Sequence, residues 1–280
     1  MRLKKLSKFT LLAASAMVAL AMAAGSYKLA YHMQKGQRLN YVTSFTVDET
    51  TEMMGQEQNT RVNSKALLHV DVEDVDKAGN ITFVHALDSL YLEVKSPQLD
   101  STLRNPEGMI GKRTRQVIDA HGKRLKSAMV DSMKLGAMMG QLTRLTALRM
   151  LDLPEKEVKI GDSWAKSMPD TSERPGGRMV VKLDLTYTAS AEVDTLGYKC
   201  LRIAYKGTMA IKGDWKQMGM NFFLEGEGPN SGTAYFAIKE GVLVAQLADL
   251  QLENTIALTG QMNMTLPNSS SSKTAMVLTK

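Results

Sequence analysis

Leu183-Asp184-Leu185-Thr186-Tyr187-Thr188-Ala189-Ser190-Ala191-Glu192-Val193 decides the fold class. Its odd-numbered residues are apolar or aromatic, while the residues between them are polar or small. Successive side chains of an extended backbone point to opposite sides, so this run offers one face to a core and one to water. The same two-residue period returns at Leu68, Val70 and Val72, with His69, Asp71 and Glu73 between them, and at Met218, Met220, Phe222 and Leu224. Asp76-Lys77-Ala78-Gly79-Asn80 reads as a turn, after which Ile81, Phe83, His85 and Leu87 resume the alternation. These runs predict a mainly β, α+β protein of long curved antiparallel sheets.

The longest alternation passes through Leu250, Leu252, Ile256, Leu258, Met262, Met264 and Leu266. At about 3.3 Å per residue it would span roughly 50 Å, which predicts a bend, and Gly260 is the residue best able to supply it. Asn268 to Ser272 reads as a flexible loop before a last strand, Ala275 to Leu278. Between Ala128 and Leu151 the period changes: Leu135, Met138, Leu142, Leu145 and Leu148 recur at three- and four-residue spacings. That spacing predicts one amphipathic helix of roughly six turns, stopped before Pro154. The chain therefore divides into a leader (1–23), a tether (24–40), a first β half (41–127), the helix (128–153) and a second β half (154–280).

The halves carry matching punctuation. Val75-Asp76 with Gly79 parallels Val193-Asp194 with Gly197, and a turn at Gly122 parallels one at Gly241. The strands before the Val-Asp turns are out of phase by one residue, which bulges or coincidence would both explain. Gly36-Gln37 with Tyr41, Met54-Gly55-Gln56-Glu57, Val75-Asp76 with Gly79-Asn80, and Gly161-Asp162-Ser163-Trp164 follow one another in an order that resembles a family of exported bacterial proteins known only as a domain of unknown function. That resemblance implies export and a β-rich fold and supplies no activity. The long bent strands with a covering helix also look like the half-barrels of periplasmic lipoprotein and lipid carriers, an architectural likeness that assigns no function by itself.

Composition restricts the rest. The chain has 280 residues, 44% of them hydrophobic, which suits a folded core. Arg2, Lys4, Lys5 and Lys8 precede an apolar run and the small-x-small sequence Ala21-Met22-Ala23, the pattern of a cleavable secretory leader. Without it, the 35 basic residues fall by those four to 31 against 29 acidic, so the basic character belongs to the leader and no nucleic-acid partner is expected. Export implies a periplasmic or extracellular place, with no transmembrane segment after the leader is removed. The single cysteine, Cys200, excludes an intrachain disulfide and reads as a structural thiol.

Reactive patterns are few. Asp-Ser pairs occur at 88–89, 100–101, 131–132 and 162–163, none within a nucleophile elbow, and His85 occupies a core phase. The acids Asp71, Glu73, Asp74 and Asp76 lack the spacing of a calcium loop. Met218 with Met220, and Met262 with Met264, have thioether spacing suited to Cu(I), yet both pairs continue apolar faces and read as core. No enzyme, metal site or cofactor is expected. The leading function is capture of an apolar small molecule, lipid or lipid-modified partner on a curved face by Met138, Leu142, Leu145, Met218, Met220, Phe222, Met262 and Met264. Six cations of one hairpin, Lys112, Arg113, Arg115, Lys123, Arg124 and Lys126, are candidates for contact with an anionic surface. The alternative is an envelope structural or interaction module with a filled core.

Overall fold

In the computed structural model, residues 25–131, 148–174, 176–217, 219–260 and 263–279 are described. Twelve strands run in chain order: β1 Arg38–Met53, β2 Gln56–Val75, β3 Ile81–Ser96, β4 Leu99–Arg104, β5 Arg113–Ile118, β6 Arg124–Met129, β7 Ser163–Arg174, β8 Gly177–Thr195, β9 Tyr198–Gln217, β10 Met220–Ala237, β11 Val242–Thr259 and β12 Met264–Thr279. They form one antiparallel sheet in the order β6-β5-β3-β2-β1-β12-β11-β10-β9-β8-β7, with β4 beside the far part of β3. The first strand pairs with the last, Tyr41 opposite Leu278 and Thr51 opposite Asn268, so the first and second halves belong to one sheet.

Residues opposed across a ladder share a face. One row reads Phe45, Thr274, Ala248, Gly232, Tyr205, Tyr187 and Trp164 across seven strands. This is the inner face. On β8 it carries Met179, Leu183, Leu185 and Tyr187, all buried, while Arg178, Lys182 and Thr186 on the opposite face are exposed. Close strand approach on the inner side demands bare backbone: a Cβ on Gly207 would meet the Asp184 carbonyl, and one on Gly228 the Gln251 carbonyl.

One end of the inner face is filled by two segments without regular secondary structure, 25–36 and 148–158, which pair at Tyr27 and Val158. Leu29, Tyr31, Leu151 and Leu153 are almost fully buried there against Tyr41, Phe83, Ile118, Ile203 and Phe236. Polar backbone inside this plug is satisfied. The Tyr31 hydroxyl accepts from Leu151 N at 2.9 Å and donates to Leu151 O at 3.1 Å, and Tyr41 donates to Leu243 O at 2.9 Å. The turns at Gly122 and Gly241 both grip the segment: Tyr31 N donates to Ala120 O and His32 N to Gly241 O. Both glycines have positive φ, 87° and 63°, and a Cβ on Gly122 would strike Leu151 O.

Several expectations need correction. The chain is all β rather than α+β, and no helix occurs among the described residues. Ala128 and Met129 end strand β6, and Leu148 to Leu151 are non-helical plug, because core contacts there override the local period. Most of the expected helix, including Met138, Leu142 and Leu145, lies outside the described residues, as does the leader. The run from Leu250 to Leu266 is not one bent strand. Leu258 pairs with Met264, so Gly260 lies in the connection of a hairpin. Asn268 to Ser272 is part of β12, not a loop, since ladders on both sides satisfy its backbone and its serines fall on both faces.

Candidate functional site

Burial along β11 changes with height. Val242 to Val244 are buried beside the plug, whereas Leu250, Leu252, Ile256 and Leu258, on the same inner face farther out, are only half-buried. Where the plug ends, a recess of about 190 Å³ opens between Phe45 and Thr43 of β1, Leu68 of β2, Gln246 and Ala248 of β11, and Thr274 and Met276 of β12, with Leu148 and Arg149 as its floor. Its polar groups are held in place. Gln246 Nε2 donates to the Tyr205 hydroxyl at 3.2 Å, and that hydroxyl donates to Leu247 O at 3.1 Å. Burial pushes the Tyr205 phenol up, so it remains a neutral donor and acceptor.

Beyond the recess the inner face of β9 to β11 is mostly apolar, and its outermost row continues onto β12. Trp215, Phe222, Leu258 and Met264 form one row, and the Trp215 and Phe222 rings stack with centroids 5.2 Å apart. Leu224, Ile256 and Leu266 lie in the next row toward the plug. None of these seven side chains belongs to either buried cluster, so together they form a half-covered apolar surface on the inner side.

Of the eight residues expected to hold an apolar ligand, Phe222 and Met264 are brought into one row with Leu258 between them, and Met220 opens β10 on the same face. Met218 and Met262 join Met138, Leu142 and Leu145 outside the described residues. The six hairpin cations are close together, but their arginines are engaged by acids. Arg113 holds Asp131 through two bonds of 2.9 Å, Arg115 holds Glu73 at 2.6 and 2.9 Å, and Arg124 reaches Asp170 on β7 at 2.7 Å. Arg113 accordingly keeps the Asp131 carboxyl far below the usual range, and Arg115 lowers that of Glu73. The acids near Asp76 are likewise occupied: Asp71 by Arg38, Asp74 by Lys35, and Asp76 by the backbone amides of Ala78 and Asn80 in its own turn.

His85 points inward, and burial pushes its pKa down to about 4. Gln116 Nε2 lies 3.1 Å from the neutral ring nitrogen and donates to it. His69 faces outward, its Nδ1 2.7 Å from Asp88 and its Nε2 3.7 Å from Asp71. Among the described residues no His, Cys, Asp or Glu cluster could hold a metal ion. The buried Cys200 thiol is pushed up to about 11 by desolvation, so it stays protonated.

Two groupings escaped the sequence reading. The gap between the sheet edges β6 and β7 holds a polar cleft of about 410 Å³ lined by Lys123, Arg149, Asp152, Glu155 and Lys166, where burial raises the Asp152 pKa. The other is an inner-face row of Asn254, Asn268 and Thr51, with Glu49 hydrogen-bonded to it from two residues along β1. Its signal was present as the two-residue period of Leu266, Asn268, Ser270 and Ser272, hidden by the loop-like composition of 268–272.

No protein-family model matches the chain, and no curated protein matches it. Among solved structures, Pseudomonas aeruginosa OpdQ aligns at 6% identity and a TM-score of 0.29, over 87% of this chain and 100% of its own. An outer membrane channel from Pseudomonas putida F1 aligns at 8% and 0.28, over 89% and 97%, and Pseudomonas aeruginosa OccK5 (OpdH) at 5% and 0.28, over 88% and 99%. Likeness this slight carries no functional argument. No described helix is long and apolar enough to cross a membrane, but strands of about 9–11 residues can do so, and β1 to β3 and β7 to β12 are all longer than that. The expectation that no transmembrane segment follows the leader counted helices alone. With strands of this length, that expectation is withdrawn.

Proposed function

We propose that this exported β-protein binds an apolar ligand or the acyl part of a lipid-modified partner on the outer reach of its inner sheet face. The observation that supports this reading is the switch along β11 from buried to half-buried inner residues, at the height where the recess opens. Burying large apolar side chains that the fold leaves half-covered is favourable, so a contiguous row of them suits an apolar partner. The recess is smaller than the roughly 300 Å³ at which small-molecule pockets usually begin, so it suits the end of a chain while the row from Trp215 to Met264 takes the rest. The plug end is filled core and has no part in this reading.

Fluorescence of the neutral probe N-phenyl-1-naphthylamine tests it. Binding that saturates with the protein, and weakens severalfold in Ala248→Trp, is expected, because the indole would fill the recess. No saturable binding would leave the envelope structural module as the reading.

A further inference from the structure

Leu148 and Arg149 face two cavities. On one side they floor the recess of about 190 Å³ beside β1, β11 and β12. On the other they line the cleft of about 410 Å³ between the sheet edges β6 and β7. The two spaces therefore adjoin at the top of the plug, and their chemistries differ. The recess is walled by Phe45, Leu68, Ala248 and Met276, with the hydroxyls of Thr43 and Thr274. The cleft is lined by four cations, Lys123, Arg124, Arg149 and Lys166, against two acids, Asp152 and Glu155.

These charges are not paired off. Arg124 is held by Asp170 at 2.7 Å, but among the described residues no carboxylate forms an ion pair with Lys123, Arg149 or Lys166. Arg149 is exposed, and Lys166 is half-buried on the inner side of β7, opposite Leu185. Asp152 feels all three cations, which act against the rise that burial imposes on its carboxyl. With Arg124 and Asp170 cancelling, three cations face two acids, so the cleft keeps one positive charge uncompensated. The rest of the inner face is the reverse. Among the described residues, the inner sides of β8 to β12, β1 and β2 carry no cation, and Glu49 places an acid farther out. A negative head group is therefore favoured at the top of the plug, beside Arg149, and disfavoured toward the far end of the face.

We infer that the ligand of the inner face is a long-chain carboxylate, its head held by Arg149 and Lys166 and its chain lying along the apolar residues of β9 to β11. This rests on the function proposed above and names its ligand class. A guanidinium offers a planar pair of N–H donors that matches one carboxylate, and Lys166 adds a second charge from β7. One surplus positive charge suits the single negative charge of a carboxylate better than the nearly two of a phosphate. The half-buried apolar positions begin at Leu250, next to the recess, and reach Leu258, interrupted at Asn254. At the rise of an extended strand they cover about 26 Å, room for a long alkyl chain.

Competition against bound N-phenyl-1-naphthylamine tests the head group, using laurate, dodecyl phosphate, dodecyl maltoside and dodecyltrimethylammonium below their micelle concentrations. Laurate should displace the probe at a concentration about tenfold lower than maltoside or the ammonium, the value of one hydrogen-bonded charge pair, and lower than the phosphate as well. Arg149→Gln and Lys166→Gln should each reduce the preference for laurate over maltoside roughly three- to tenfold. That preference is a ratio measured on one sample, so a partly unfolded variant still reports it. Laurate no better than maltoside, tightest binding of the ammonium or the phosphate, or a preference for laurate that either variant retains in full would overturn the inference. Absence of probe binding would instead overturn the proposed function on which it rests.

Discussion

Tyr31 ties the two segments of the plug together through a single side chain. Its ring packs edge-on against Phe236 with centroids 5.2 Å apart, and its hydroxyl closes both hydrogen bonds with Leu151. Tyr31→Phe keeps the ring and strands both Leu151 groups in a dry plug. It should cost about 1–3 kcal/mol in urea denaturation, and an unchanged midpoint would show that those groups find other partners. His85 makes a pH-dependent contribution. Its folded pKa of about 4 lies below the ordinary 6.5, so the unfolded chain binds the proton more readily. The stabilising effect is complete above pH 6.5 and declines as pH falls toward 4, by up to about 3 kcal/mol. His85→Phe should flatten that part of the stability profile; an equally steep profile in the variant would assign the dependence to other groups.

At the scale of elements, turns are where local rules and packing coincide. Gly36 and Gly241 both have positive φ, 81° and 63°, but only Gly241 is crowded, with His32 and Ala30 backbone where a Cβ would go. Gly36→Ala should therefore cost about 1 kcal/mol of backbone strain, and Gly241→Ala distinctly more, because the turn must also release the plug. Equal losses of thermal stability in the two would show that the plug yields freely. The seam between β6 and β7 is a contrasting case. Arg124 and Asp170 are each 41% exposed, so their 2.7 Å ion pair should be worth well under 1 kcal/mol. Asp170→Asn should barely change the melting temperature, and a large fall would mean the seam depends on that bridge.

For the whole molecule the decisive pairing is β1 with β12, which joins residues more than 200 positions apart. Such a sheet cannot close until most of the chain is made, so folding should be slow for its size. The plug packs against strands of both halves, and a single cooperative unfolding transition is expected. Leu153→Ala, at a fully buried position in the plug, should lower that one transition by about 2–5 kcal/mol. Two resolved transitions in calorimetry, with only one shifted, would show instead that the halves unfold separately.

Much of this was legible in the chain. Alternation identified β8, β2 with β3, and the paired faces of β10, because a two-residue period has one structural solution when one face is buried. The turn at Gly122 was legible from its His-Gly pair, and the apolar strand faces that carry Phe222 and Met264 from the same rule. Other features depended on partners distant in sequence. Leu135 to Leu148 has helical spacing, yet its described end at Leu148 is not helical, since Gln116 donates to the Leu148 carbonyl and the core takes the side chain. Asn268 to Ser272 has the composition of a loop and is a strand, because β1 and β11 lie on either side of it. The carboxylates that hold the hairpin arginines come from other elements, and the cations of the cleft beside Arg149 come together only once the sheet is assembled. Side-chain period therefore determined which segments are strands and which residues share a face. The tertiary structure decided which strands are neighbours, which polar groups are left without a partner, and where the apolar face stays uncovered, because burial and hydrogen bonding are properties of contacts between segments.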